Sequence, residues 1–178
     1  RIPIISFYVF SSENWKRPQS EIKYLFNLIG IYFKKEISNI IKNNIKINIM
    51  GRRKTFSTKI KTQFKEIEKK TIKNNKLIVN LAINYGSKNE IIDSVKKLHS
   101  TKQKITEKNI EKNLYRYLAH PDILIRTGGK KRLSNFMLWQ MAYTELFFLK
   151  KLWPDFTKKD LSKIIREYKK EKRNFGAV

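Results

Sequence analysis

Short apolar runs rich in β-branched and aromatic residues alternate along this chain with longer segments whose apolar residues recur at helical spacing. The first run, residues 3–10, is nearly continuous, which suits a strand buried on both faces as in a parallel sheet. Pro18 then opens a helix in which Ile22, Leu25, Phe26, Ile29, Phe33, Ile37, Ile40 and Ile41 form one side, and Lys42-Asn43-Asn44 ends it. The unit repeats with a strand over 45–50 closed by Gly51, a helix over 57–73 carrying Ile60, Phe64, Ile67 and Ile72 on one face, and a strand over 76–83. A helix over 88–99 and a shorter one after Thr106, where Thr-Glu-Lys-Asn reads as a cap, lead to a strand over 122–126. Beyond it, 135–143 is expected to be helical, 145–149 a last strand, and 158–172 a terminal helix capped by Thr157. Strands alternating with helices predict an α/β fold with a central, mostly parallel sheet flanked by helices.

Neither an internal repeat nor a linker interrupts the 178 residues, so a single domain is expected. The longest apolar stretches fall short of a membrane span and no leader pattern is visible, giving the expectation of a cytoplasmic protein. With no cysteine and only His99 and His120, neither of them expected to be catalytic, a metal would be held by oxygen ligands. Those favour Mg²⁺ or Ca²⁺, and Mg²⁺ binds through one or two carboxylates plus substrate phosphates. The formal charge of +25 would suit nucleic acid or anionic membrane. Lysine, asparagine and isoleucine are over-used throughout, however, on helix backs as well as in loops, so compositional bias is the stronger reading, with some adhesion to anionic lipid following from the charge.

In parallel α/β sheets ligands gather beyond the carboxyl ends of the strands. Phe10-Ser11, Asn84-Tyr85-Gly86 and Arg126-Thr127 fall at such ends. The last of these opens a segment that concentrates Arg126, Gly128, Gly129, Arg132, Ser134 and Glu145 behind the apolar run 123–125. Arginine's planar fork matches phosphate oxygens, glycine lets backbone approach them, and a hydroxyl adds a hydrogen bond. The makeup predicts a diphosphate site rather than a solvated loop. Glu145 opens an apolar strand, where a carboxylate needs a cation: a metal, or Arg126 or Arg132.

The wording of residues 126–148, of Phe10-Ser-Ser-Glu-Asn-Trp-Lys-Arg-Pro18 and of Leu152-Trp-Pro-Asp-Phe156 resembles the cis-prenyltransferases, and within them the undecaprenyl diphosphate synthases, from near residue 1 to about residue 177. The resemblance implies an undecaprenyl diphosphate synthase-like fold and condensation of isopentenyl diphosphate onto an allylic diphosphate, with farnesyl diphosphate as primer and an undecaprenyl-type product for the cell-wall lipid carrier. It implies a homodimer and a Mg²⁺ cofactor; peripheral contact with anionic membrane follows instead from the charge, and no motif for reading bases marks a specific nucleic acid as partner. Family members carry upstream a first strand and a phosphate loop with an Asp-Gly-Asn signature. None of Asp93, Asp122, Asp155 and Asp160 is followed by Gly-Asn. The expectation is therefore a domain lacking its N-terminal part, with the first strand missing.

By the same resemblance Arg126, Arg132 and Ser134 hold the diphosphate of isopentenyl diphosphate and Glu145 helps bind Mg²⁺ there. Ser11 and Asn14 lie near the carbon that loses a proton, Trp15 lines the substrate cleft and Arg17 meets the allylic diphosphate. Read from the residues alone, that stretch is a helix cap with a buried tryptophan, and the motif's wording raises the functional reading above it. Leu77 matches the bulky residue that closes the far end of a hydrophobic tunnel, although Leu77, Val79, Leu81 and Ile83 first of all form a core pattern. Phe26, Ile29 and Phe33 are either tunnel lining or ordinary core. Arg173-Asn174-Phe175-Gly176-Ala177 and Asn84-Tyr85-Gly86-Ser87-Lys88 depart from the family's Arg-Arg-Phe-Gly-Gly and Asn-Tyr-Gly-Gly-Arg. A non-catalytic partner subunit is the second reading and a basic nucleic-acid-binding protein the last; retention of Arg126, Arg132, Ser134 and Glu145 argues for the enzyme.

Overall fold

The computed structural model describes residues 2–116 and 119–171. Two compact units make up the chain, residues 1–116 and 117–178.

In the first unit, β1 (Ile4–Ser11), β2 (Ile45–Met50) and β3 (Leu77–Tyr85) form a parallel sheet in the order β1-β3-β2. Helix α1 (Gln19–Lys42) connects β1 to β2, and α2 (Thr58–Lys70) connects β2 to β3. Parallel neighbours need such crossovers. The chain leaves α1 through Asn44 at a φ of 56°, the left-handed conformation that asparagine tolerates at a helix C-terminus. The Ser57 hydroxyl accepts the Ile60 N–H at the start of α2. Helices α3 (Ser87–Ser100) and α4 (Glu107–Asn113) follow, and Thr106 caps α4 by accepting the Asn109 N–H at 3.2 Å, as its sequence predicts.

Pleat alternation sends Leu77, Val79, Leu81 and Ile83 to one face of β3. Val79, Leu81 and Ile83 pack there with Phe10, Ile22, Phe26, Ile47, Ile49, Phe56, Phe64 and Ile67, an apolar layer between the sheet and helices α1 and α2. Each large side chain buried in this way contributes about 1.5–3 kcal/mol. At the centre of the sheet the register aligns Ser6, Asn80 and Asn48 in one row. Asn48 Nδ2 donates to Asn80 Oδ1 at 2.9 Å, and Asn80 Nδ2 donates to Ser6 Oγ at 3.1 Å. A slip of one residue would break this row, buried at Asn48 and Asn80, and turn the apolar face outward together.

The second unit holds a parallel pair, β4 (Ile123–Arg126) with β5 (Glu145–Phe148), and helix α5 (Lys158–Tyr168). Thr157 caps α5: its hydroxyl accepts the Asp160 N–H, and the Asp160 carboxylate accepts the Thr157 N–H at 2.7 Å. The expected helix over 135–143 is not formed. Ser134, Asn135 and Met137 have φ values of 50°, 63° and 42°, which break any right-handed helix, and the segment runs as successive turns. Its apolar spacing is nonetheless used, because Phe136, Met137 and Met141 are buried.

Replacing Asn80 by leucine leaves the Asn48 amide and the Ser6 hydroxyl without their partner. It is expected to cost about 2–4 kcal/mol in denaturant unfolding. Converting the row together, in the Ser6→Ala, Asn48→Leu and Asn80→Leu variant, should recover part of that loss.

Candidate functional site

At the carboxyl end of β1 the chain passes through Ser11 into a short 3₁₀ turn, Ser12–Lys16. Asn14 Oδ1 accepts the Ser11 N–H at 2.8 Å, which fixes the turn and leaves the Asn14 Nδ2 hydrogens facing outward from that bond. A carboxamide is no base, so Asn14 can orient a ligand but not accept its proton. Tyr8 lies beneath: burial, helped by the charge of Glu13, pushes its phenol up to about 12, so it stays neutral and bonds the Tyr85 carbonyl at 3.2 Å.

Trp15 is half-buried against three phenylalanines. Its ring stacks on Phe26 with centroids 6.0 Å apart, meets Phe10 edge-on at 5.2 Å and leans on Phe56 at 5.9 Å. Its indole Nε1 donates to Asn84 Oδ1 at 2.7 Å. Arg17 pairs with Glu21 one turn into α1 at 2.7 Å, both about half exposed. An exposed pair of this kind is worth about 0–1 kcal/mol, so Arg17 can exchange it for an anionic ligand at little cost. Leu77 stands at the opposite end of β3 from Asn84, about 23 Å away at strand rise. Phe10, Phe26, Ile49, Phe64 and Ile83 fill the apolar layer between.

Charged groups that the sequence did not single out support this end of the sheet. Gly51 turns the chain after β2 at a φ of 121°, where a Cβ would lie 2.1 Å from the Ile83 carbonyl oxygen. Arg52 then forms a fork with Asp93, two bonds of 2.7 Å, and Tyr115 donates to the same carboxylate. The Arg52 bonds hold Asp93 below the usual carboxylate range against the opposing effect of burial. Burial and Asp93 push the Tyr115 phenol up. Fully buried Glu90 accepts from the Tyr85 hydroxyl and, at 3.0 Å, from the Tyr115 N–H. Glu68 gathers Arg53, Arg116 and the Ile49 N–H.

In the second unit, β4 delivers Arg126 to a loop with four cations, Arg126, Lys130, Lys131 and Arg132, and no acid up to Ser134. Arg126 Nη1 donates to Ser134 Oγ at 2.7 Å and to the Arg132 carbonyl, so one guanidinium ties the two ends of the loop together. Gly128 and Gly129 have φ values of 85° and 75°, and their N–H groups donate to the Lys151 and Leu149 carbonyls. The glycines therefore shape the loop, while guanidinium, ammonium and hydroxyl groups are what it offers an anion. Glu145 opens β5 opposite Ile123, three ladder positions back from Arg126. Alternation puts Arg126 with Leu124, Leu146 and Phe148 on one face and Glu145 with Ile123, Ile125 and Phe147 on the other. The ladder does not bring Glu145 to Arg126. Among the described residues the Glu145 carboxylate has no hydrogen bond or ion pair, which leaves it available as an oxygen ligand.

The motif at 173–177 lies outside the described residues. Among the described residues no three His, Cys, Asp or Glu side chains cluster, and no helix is long and apolar enough to cross a membrane.

The family model for "Putative undecaprenyl diphosphate synthase" matches residues 1–176. An isoprenyl transferase of Rickettsia bellii is 46% identical over 178 residues, which span 99% of this chain and 79% of that protein. One of Fusobacterium nucleatum is 41% identical, with 99% and 77% covered. The crystal structure of a probable undecaprenyl diphosphate synthase from Campylobacter jejuni matches with a TM-score of 0.91 at 37% identity, covering 97% of this chain and 83% of that one. Lavandulyl diphosphate synthase from Lavandula x intermedia, in complex with dimethylallyl diphosphate, matches at 0.91 and 26% identity, with 98% and 79% covered. A parallel α/β chain with this likeness is a transferase of prenyl groups. It belongs to the undecaprenyl diphosphate synthase family and is a cis-prenyltransferase.

The Glu68 cluster makes stability depend on acid. Burial by itself would raise the Glu68 pKa, but the Arg53 and Ile49 hydrogen bonds and the charges of Arg53 and Arg116 hold it below its ordinary 4.5. A carboxylate lowered on folding contributes stability that is complete above its unfolded value and is lost as pH falls through its folded value. The thermal midpoint should therefore decline once pH drops below 4.5. In Glu68→Gln, less stable at pH 7, that acid-side decline should be shallower.

Proposed function

We propose that this chain elongates an allylic diphosphate, with farnesyl diphosphate as primer, by repeated addition of isopentenyl diphosphate to an undecaprenyl-type product that serves as cell-wall lipid carrier. The observation that carries the reading is the loop 126–134, four cations without an acid, cross-braced by Arg126 and Ser134 at the carboxyl end of a parallel strand. Membership of the family and the allylic diphosphate bound by the lavender relative support the substrate class.

In each cycle the C–O bond from the allylic C1 to its diphosphate breaks, and the electron pair leaves with that diphosphate. The double bond of isopentenyl diphosphate forms the new C–C bond to C1. A proton is then lost from the neighbouring carbon to the released diphosphate, which sets a cis double bond. Arg126, Arg132 and Ser134 bind the homoallylic diphosphate, where preformed donors act on charge without reorganising. Arg17 releases Glu21 to meet the allylic diphosphate, Ser11 and Asn14 orient the carbon that loses the proton, and Trp15 lines the cleft. The growing tail enters the apolar layer between β3 and helices α1 and α2, parting the side chains that fill it, and runs towards Leu77, since each methylene left in water costs about 0.8 kcal/mol.

Glu145 would hold Mg²⁺. One carboxylate with substrate oxygens is a donor set this ion takes, and the ion would supply positive charge to a diphosphate that reaches Glu145. The assignment rests on donor chemistry, because the ladder keeps Glu145 apart from Arg126. The proposal includes a homodimer that works in the cytoplasm, with peripheral attraction to anionic membrane supported by the charge of +25.

Labelled isopentenyl diphosphate should enter extractable lipid only with farnesyl diphosphate and Mg²⁺ both present; no incorporation under any of these conditions would refute the reading. Arg126→Ala and Arg132→Ala should each raise the KM for isopentenyl diphosphate about 10- to 100-fold, the worth of one charged hydrogen bond. Arg126→Lys should restore only part of this, lacking the fork. With Leu77→Ala the products, sized by chromatography, should be longer than those of the parent.

A further inference from the structure

The carboxyl ends of all three strands in the first unit converge on one side chain that the reading above leaves without a role. Asn84 is 4% exposed and sits at a φ of 52°, a backbone conformation that asparagine tolerates better than most residues. Its Oδ1 accepts the Trp15 indole N–H at 2.7 Å. Its Nδ2 donates to the Arg52 carbonyl and to Thr55 Oγ1, both at 2.8 Å, and its own carbonyl accepts the Arg52 N–H at 3.1 Å. Trp15 follows β1, Arg52 and Thr55 follow β2, and Asn84 itself belongs to β3. Both Nδ2 hydrogens meet acceptors and Oδ1 meets a donor, so the amide can face only one way.

The ring contacts with Phe10, Phe26 and Phe56 fix the plane of the indole, but packing alone lets a flat ring slide and turn within its plane. The Nε1–H bond removes that freedom. No other side chain repeats the arrangement: aspartate offers no donors to Arg52 and Thr55, glutamine carries an extra methylene, and serine is too short to span both sides.

We propose that Asn84 is a positioning residue for the allylic substrate: it sets the orientation of Trp15 in the cleft and locks the turn 51–56 to it through the same amide. The inference rests on the reading of Trp15 as a cleft-lining residue given above.

Two substitutions separate this role from general support. Trp15→Phe removes the indole N–H and keeps an aromatic ring on Phe26, while Asn84→Gly keeps the left-handed backbone and removes the amide. Farnesyl diphosphate binding is measured by calorimetry and turnover by label incorporation, for the parent chain, each variant and the double variant, with thermal midpoints recorded alongside. Each single change should weaken farnesyl diphosphate binding and raise its KM about 3- to 10-fold, the worth of one neutral hydrogen bond. The double variant should be no worse than Asn84→Gly alone, and the KM for isopentenyl diphosphate should stay within about twofold in all three. Losses that multiply in the double variant, or a Trp15→Phe chain that binds like the parent, would overturn the proposal while the elongation reading stands. A parent chain that binds no farnesyl diphosphate would remove both.

Discussion

The register of β3 between its two parallel neighbours decides where almost every residue of interest in the first unit stands. Asn80 bonds sideways to both Ser6 and Asn48 inside the sheet, and that row aligns the strands. With the row in place, Leu77 comes to one end of the strand and Asn84 to the other, and the side chains between them alternate onto the face that packs against α1 and α2. A buried polar row stabilises little compared with an apolar one, and its contribution here is to specify one register. The turn carrying Trp15, the apolar layer and the turn after β2 all inherit their positions from it.

The alternation of strand and helix was legible because each element carries its own period. The strand expected over 45–50 has those bounds, and the caps at Thr106 and Thr157 were readable because the capping residue and its partner lie three apart. The segment 135–143 was misread for a physical reason. Burial of Phe136, Met137 and Met141 produces the same spacing whether the backbone is a helix or a run of turns with left-handed residues, and nothing in the side chains announces the difference.

Site residues divide in the same way. Those grouped in the sequence, Ser11 with Asn14 and Arg126 with Ser134, are joined in the structure by direct hydrogen bonds. Asn84 was passed over as part of a motif because its partners lie 69, 32 and 29 residues away. Its only local signal is an asparagine followed by an aromatic residue and glycine at a strand end. Glu145 shows the converse: it lies near Arg126 in the chain and on the same pair of strands, yet the pleat sends it to the opposite face. The glycines of the loop were expected to bring backbone to a phosphate, but their N–H groups are committed to the carbonyls of residues 149 and 151.

The most direct test of the account is a structure of the chain with a non-hydrolysable analogue of farnesyl diphosphate. The diphosphate should lie beyond the carboxyl ends of β1 and β3, within reach of Arg17, with the isoprenoid tail against Trp15 and pointing along the apolar face of β3 towards Leu77. A tail on the Ser6-Asn80-Asn48 side of the sheet, or a diphosphate at the amino ends of the strands, would contradict it.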